Sequence, residues 1–187
     1  MGQKKVISIV LTLVIIGLGY YLVQIIKDPI DFMAAKEVRY AAVVQNLKDI
    51  RTAEMAYKTV HDKFTNSFDS LIAFVKNDSM PIIKINSNII DDTTTILIKD
   101  TSYQPVLTSL FDKYYPVDSL CYVPYSKNAR FELDAGQIRK GNVPFPVFLA
   151  SASNTVILEG LDPRHYRKSD DLHVGSMSEA TYAGNWE

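Results

Sequence analysis

The chain of 187 residues carries 20 basic and 21 acidic side chains, which leaves a net charge of −1. A chain so close to neutral has no summed basic field for a nucleic-acid backbone, so nucleic acid is excluded as an expected partner. Its one cysteine, Cys121, cannot form an internal disulfide, which favours a bacterial envelope protein over a secreted eukaryotic domain.

An uncharged apolar run occupies residues 6–26, directly after Lys4 and Lys5. As a helix at about 1.5 Å per residue it is roughly 31 Å long, close to the hydrocarbon thickness of a bilayer. We therefore predict a transmembrane signal anchor. A cleaved secretory signal is the alternative, but its apolar core is shorter, about 7–15 residues. The residues expected to face lipid include Val6, Ile9, Leu13, Ile16, Leu22 and Ile26.

The charges around this run predict its orientation. The two lysines before it favour a cytoplasmic N-terminus, and a large domain after it translocates largely regardless of its own charge. We expect a single-pass protein of the bacterial inner membrane, in which residues 1–27 form a cytoplasmic stub and the anchor. Residues 28–166 are expected to form one periplasmic domain, and residues 167–187 a polar tail.

A second helix is predicted for residues 31–61, continuing the anchor past a kink at Pro29. Apolar residues recur there every three or four positions and form one stripe, in which Leu47, Ile50 and Tyr57 should pack beneath a sheet. The charged residues between them, Glu54 among them, are expected to form a solvated face. A shorter helix is predicted for residues 68–76, capped by Asn66 or Ser67.

Beyond this point β-rich runs alternate with turn formers. Strands are predicted for residues 94–98, 120–123, 129–133, 147–150 and 155–158, hairpin turns for 134–137 and 151–154, and a short helix for 106–115. The resulting fold class is α+β, with a long amphipathic helix packed on a four- to five-stranded antiparallel sheet.

Two C-terminal features are candidate partner contacts. The segment 143–148 is apolar and its prolines forbid a central strand, so it should lie at a sheet edge or in an exposed loop, where Pro144, Phe145 and Pro146 could meet a partner. The polar tail ends near Trp186, the one tryptophan, which is either a partner anchor or a residue folded back on its own domain.

The order of these elements resembles that of type IV pilins and of the pseudopilins of type II secretion. The local similarity lies in residues 50–58 (IRTAEMAYK) and 62–71 (DKFTNSFDSL), which resemble the connection through which pilin-like proteins leave their long helix. The resemblance implies an anchored, pilin-like α+β domain. Gly2 is followed by Gln3, Lys4 and Lys5 instead of a prepilin processing pattern, and no acidic residue precedes Asp28, so a minor or non-filamentous role is implied.

No catalytic constellation is visible in the sequence, and no phosphate-loop or dinucleotide fingerprint. His165 and His173 share a segment with three aspartates, but their spacing matches no strong zinc pattern. We therefore expect no enzymatic activity, cofactor or metal. The function expected is that of a structural or scaffolding component of a bacterial envelope assembly for secretion, motility or transport, whose partners are the lipid bilayer and other envelope proteins, in a hetero-complex or a homo-oligomer. The alternatives are a membrane-tethered sensor or ligand-binding module and a pseudopilin filament subunit.

Overall fold

The computed structural model describes residues 2–91, 94–141 and 143–187, and the side chains of all of these except 3–6, 83–91 and 94–101. The described residues form an α+β fold with a long N-terminal apolar helix and two small antiparallel sheets. The helices and strands are, in chain order, α1 (Gly2–His61), α2 (Phe68–Asn77), β1 (Ser79–Asp91), β2 (Thr94–Pro105), α3 (Val106–Leu110), β3 (Glu132–Lys140), β4 (Val143–Ser153), α4 (Asn154–Ile157) and β5 (Asp171–Gly175).

Helix α1 is continuous over 60 residues, so it is about 90 Å long. Pro29 lies inside it without ending it, as the sequence predicted. Its second half buries Leu47 and Ile50 of the predicted stripe completely and Tyr57 partly, and it also buries Val43, which the predicted stripe did not include. Helix α1 contacts β4 and β5, so Leu47 and Ile50 do contribute to the core between helix and sheet.

Helix α2 begins where its cap was predicted. The Ser67 hydroxyl accepts a hydrogen bond from the Ser70 N–H, and Asp69 lies in the first turn near the positive end of the helix dipole. Leu71, Phe74 and Val75 turn inward. The predicted helix is therefore confirmed, with its end at Asn77.

The strands form two sheets where the sequence predicted one. Strands β1 and β2 pair as an antiparallel hairpin, and β3, β4 and β5 form a separate three-stranded antiparallel sheet in that order. The α+β class is confirmed, but the single four- to five-stranded sheet is wrong. A pilin-like fold remains a prediction.

Several local predictions in this region are wrong. Residues 155–158 were predicted as a strand, yet α4 occupies most of them. Of the predicted strand 120–123, residues 120 and 121 belong to a 3-10 helix, Val117–Cys121. The predicted turn at 134–137 lies inside β3, and 151–153 of the second turn belong to β4. Gly136 was predicted to form a turn, but in the structure it lies in β3 and leaves room for Met177, whose Cε would be 3.1 Å from an added Cβ. Long-range pairing and packing override local propensity at these positions.

The C-terminal segment is part of the core, which corrects the prediction of a separate polar tail. Strand β5 pairs with β4 from Leu149 to Ser153, and Leu172 and Val174 are buried. Gly175 ends the strand at φ +81°, where an added Cβ would lie 2.2 Å from the Phe148 carbonyl oxygen. Only glycine fits that approach of two strands.

Candidate functional site

The first candidate site is the bare surface of α1 before residue 27. Of the described residues, one helix is long and apolar enough to cross a membrane. Ile9, Leu13, Ile16, Leu22 and Ile26 are each 60–64% exposed, and no other described residue covers them. The side chain of Val6 lies outside the described set. An exposed apolar surface of this length is consistent with a transmembrane or signal-anchor helix.

A few residues beyond this surface, the domain packs against the same helix and forms hydrogen bonds with it. Phe32 is buried against the rings of His165 and Tyr166, at centroid distances of 5.2 and 6.2 Å. About two turns farther along α1, the Arg39 guanidinium donates hydrogen bonds to the carbonyl oxygens of Ile157 and Glu159 at 3.1 and 2.8 Å. The domain is therefore held against α1 from residue 32 onward, without a loop between the exposed apolar surface and the domain.

The C-terminus is bonded to α1 farther along the helix. Arg51 Nη1 donates to Glu187 Oε1 at 2.8 Å and to the Tyr182 carbonyl oxygen at 3.2 Å. Trp186 is partly buried, and its ring lies so close to Gly184 that an added Cβ would be 2.3 Å away. This geometry matches the alternative in which Trp186 folds back on its own domain.

The second candidate site is an open groove of about 600 Å³ between α1, the base of the β1–β2 hairpin and the C-terminus. Its walls are mostly apolar and the Arg51–Glu187 ion pair lies among its lining residues. The other lining residues are Thr52, Met55, Ala56, Thr59, Met80, Leu110, Tyr182 and Ala183. An apolar concavity of this volume with few polar groups is typical of ligand sites.

The third candidate site is the proline-containing half of β4. Residues 143–148 pair only with β3, because β5 joins β4 from Leu149 onward. Strand β4 is the middle strand of its sheet, so the prediction that these prolines forbid a central strand is wrong, although Pro144, Phe145 and Pro146 have a described strand partner on one side alone and Phe145 is 39% exposed. Whether these three residues contact a partner stays a prediction. The Tyr182 hydroxyl donates to the Pro146 carbonyl oxygen at 3.1 Å, which joins this edge to the C-terminal segment.

One polar residue of the core was missed, because the sequence placed Glu54 on the solvated face. The structure buries it completely. Its Oε2 accepts a hydrogen bond from the Thr65 N–H at 3.1 Å, and its Oε1 has no partner among the described residues. Burial raises the pKa of Glu54 to about 8, although the Thr65 bond acts in the opposite direction. The signal available was its position, four residues after Ile50 and three before Tyr57.

The histidines are not brought together. His173 Nδ1 lies 2.9 Å from Asp171 Oδ2, the His165 ring is tilted against that of Phe32, and His61 stacks on Tyr57 at the end of α1. Within residues 2–91, 94–141 and 143–187, no three His, Cys, Asp or Glu side chains are arranged to hold a metal ion. Cys121 is buried, and burial raises the pKa of its thiol above the usual range.

Comparison with family models, with curated proteins and with solved structures finds no match to this chain. The resemblance to pilins and pseudopilins therefore still depends on the order of elements and on the two short stretches of sequence.

Proposed function

We propose that this chain is a non-enzymatic, membrane-anchored structural or scaffolding component of a bacterial envelope assembly. Its first partner is the lipid bilayer, and its others are envelope proteins in a hetero-complex or copies of itself. One observation carries the proposal: α1 is a single helix, Gly2–His61, whose first part is bare and apolar while its second part is bonded into a folded domain.

A continuous helix suits a scaffold because it fixes position. A flexible linker would let the domain sample many orientations. Here the bonds of Arg39 to α4 and the loop after it hold the domain to the helix that carries the anchor. A partner bound to the domain would therefore be held at a set height above the membrane.

The proposed topology has the N-terminus in the cytoplasm and the domain in the periplasm of a single-pass inner-membrane protein. Labelling of single cysteines in intact cells with a membrane-impermeant maleimide tests it. Cys121 is buried, so the native chain gives a low background. Lys127→Cys, at a well-exposed side chain, should be labelled at once, and Gln3→Cys only after the inner membrane is permeabilised. The opposite pattern would contradict this orientation.

Photocrosslinking in cells tests the scaffold role. A crosslinking amino acid at Phe145, on the exposed edge of β4, should give a discrete adduct with another envelope protein or a second copy. The same group at Tyr114, which is 88% exposed on a different part of the domain, is the matched control. Absence of any adduct from position 145, at normal expression and membrane localisation, would count against an assembly surface at this edge.

A membrane-tethered sensor or ligand-binding module is the second candidate, favoured by the groove of about 600 Å³. The groove begins near Arg51, 25 residues beyond Ile26, or roughly 38 Å along the helix. A ligand there would come from the periplasmic solution, since lipid chains do not extend so far. Filling the groove by Thr59→Phe, at an exposed lining residue, should abolish ligand binding and leave membrane localisation unchanged.

A further inference from the structure

We infer that the loop of residues 160–169 lies on the bilayer surface and that its basic side chains contact phospholipid headgroup phosphates. This inference depends on the membrane anchoring proposed above and extends it from the span to the domain.

The height follows from the packing of Phe32. Phe32 lies six positions after Ile26, which is roughly 9 Å along the helix. The headgroup layer adds about 5–8 Å to each side of the hydrocarbon. His165 and Tyr166 lie directly against Phe32. The loop that carries them is therefore within a side chain's length of the headgroups.

The helix at the same height has the character of an interface. On the sides that the domain leaves open, Ile30 is 60% exposed and Met33 is 61% exposed, although both lie beyond the charged residues Lys27 and Asp28. Pro29 has no N–H, so the carbonyl of Ile25 lacks its helical partner. Apolar side chains beside a carbonyl that needs an outside donor fit the polar edge of a bilayer better than either hydrocarbon or bulk water.

The loop presents basic side chains at this level. Arg164, Arg167 and Lys168 are exposed. Asp162 binds Arg164 through its carboxylate, and Asp28 and Asp31 line the same cavity as His165, so the face as a whole is not strongly basic. The rigid tether therefore brings the loop to the height of the headgroups, and the basic side chains hold it there by short-range contacts with phosphate, because long-range attraction to an anionic surface would be weak.

Fluorescence quenching in nanodiscs tests this with the full chain. The fluorophore is placed on Ser169→Cys, beside the basic residues, in discs that contain phosphatidylethanolamine, phosphatidylglycerol and a lipid with a spin-labelled headgroup. The control is Tyr114→Cys. Its neighbour Tyr115 bonds Asp49, 23 residues beyond Ile26 and so roughly 35 Å along the helix. We expect quenching at position 169 several-fold stronger than at position 114.

Two further samples separate the failure of this inference from the failure of anchoring. A fluorophore on Leu13→Cys with a spin label deep in the acyl chains reports whether the span is inserted. Quenching at 13 without extra quenching at 169 overturns the headgroup contact and leaves the anchor intact. Absence of quenching at 13 overturns both.

An insertion tests the rigid tether. Seven helix-forming residues placed after Lys27 add two turns and raise the domain by about 10 Å with little rotation. Quenching at position 169 should then fall to the level at 114. Persistent quenching would mean that the loop does not depend on α1 for its height. Reversing charge with Arg167→Glu and Lys168→Glu should reduce quenching at 169; no reduction would overturn the assignment of phosphate contact to these two residues.

Discussion

The buried carboxyl of Glu54 predicts that the domain loses stability as pH rises. Its pKa is about 8 in the folded protein, against an ordinary value of 4.5. The folded state therefore keeps a proton that the unfolded state releases between these two values. The contribution of Glu54 to the free energy of unfolding is complete below about pH 4.5. It decreases by about 1.4 kcal/mol per pH unit as the pH rises from there to about 8.

The magnitude is large for a domain of this size. Between pH 5 and pH 8 the loss amounts to about 4 kcal/mol, against a typical total stability of about 5–15 kcal/mol. Glu54→Gln removes the titration and keeps an acceptor for the Thr65 N–H. Its amide donors have no described partner at Oε1, so the variant should be less stable than the native chain by about 1–3 kcal/mol at pH 5. At pH 8 the order should reverse.

Urea unfolding of the full chain in mild detergent, followed by the fluorescence of Trp186, measures both proteins across this range. The difference between them cancels titrations that they share. Glu37→Gln, at an exposed position on the same helix, is the control and should track the native chain. Native stability that is flat from pH 5 to 8, or a slope that survives in Glu54→Gln, would refute the reasoning.

Three further predictions use the same unfolding assay. Leu47→Ala should cost about 2–5 kcal/mol and its neighbour Lys48→Ala no more than about 0.5 kcal/mol; equal small losses would mean that α1 is not packed on the domain. Gly175→Ala should destabilise the domain by at least about 1–3 kcal/mol, because both the positive φ of Gly175 and its approach to Phe148 exclude a Cβ. A neutral effect would contradict the close approach of β5 to β4 at this residue. Leu172→Ala should cost about 2–5 kcal/mol if the C-terminal segment is core, whereas a loss below about 0.5 kcal/mol would restore the separate tail.

Helices α1 and α2 could be predicted from the sequence because their signals are local. The spacing that leads to Leu47 and Ile50 and the cap at Ser67 each depend on a few neighbouring residues. Glu54 shows the limit of this reasoning. Because Glu54 is charged, it was predicted to lie on the solvated face of α1, whereas its position between Ile50 and Tyr57 is on the buried face. The Thr65 N–H that donates to its carboxylate comes from a different segment.

The sheets were harder to predict because strand pairing is a long-range property. Residues 155–158 have β-branched side chains typical of a strand, but the Asn154 N–H bonds the Asp170 carbonyl and its side chain bonds Tyr40, and a helical turn follows. Strand β1 was not predicted at all, since a proline lies near its start and polar residues interrupt its run of isoleucines. The polar segment after Arg167 supplies β5 only because β4 offers it an open edge.

The candidate sites also differ in whether the sequence alone could predict them. The apolar span and the exposed proline segment are contiguous in sequence and could be predicted. The groove could not, because its lining residues come from α1, the base of the β1–β2 hairpin, α3 and the C-terminus. No local pattern connects Met55 with Met80, Leu110 and Tyr182.

The central claim is that the N-terminal helix is retained as a membrane anchor. Intact-mass measurement of the protein recovered from washed membranes of its native host tests it most directly. We predict that the protein is found in the membrane fraction with the mass of the whole chain, with or without the initiator methionine. A soluble protein that lacks about 30 N-terminal residues would show a cleaved secretory signal, and the account of an anchored scaffold would be wrong.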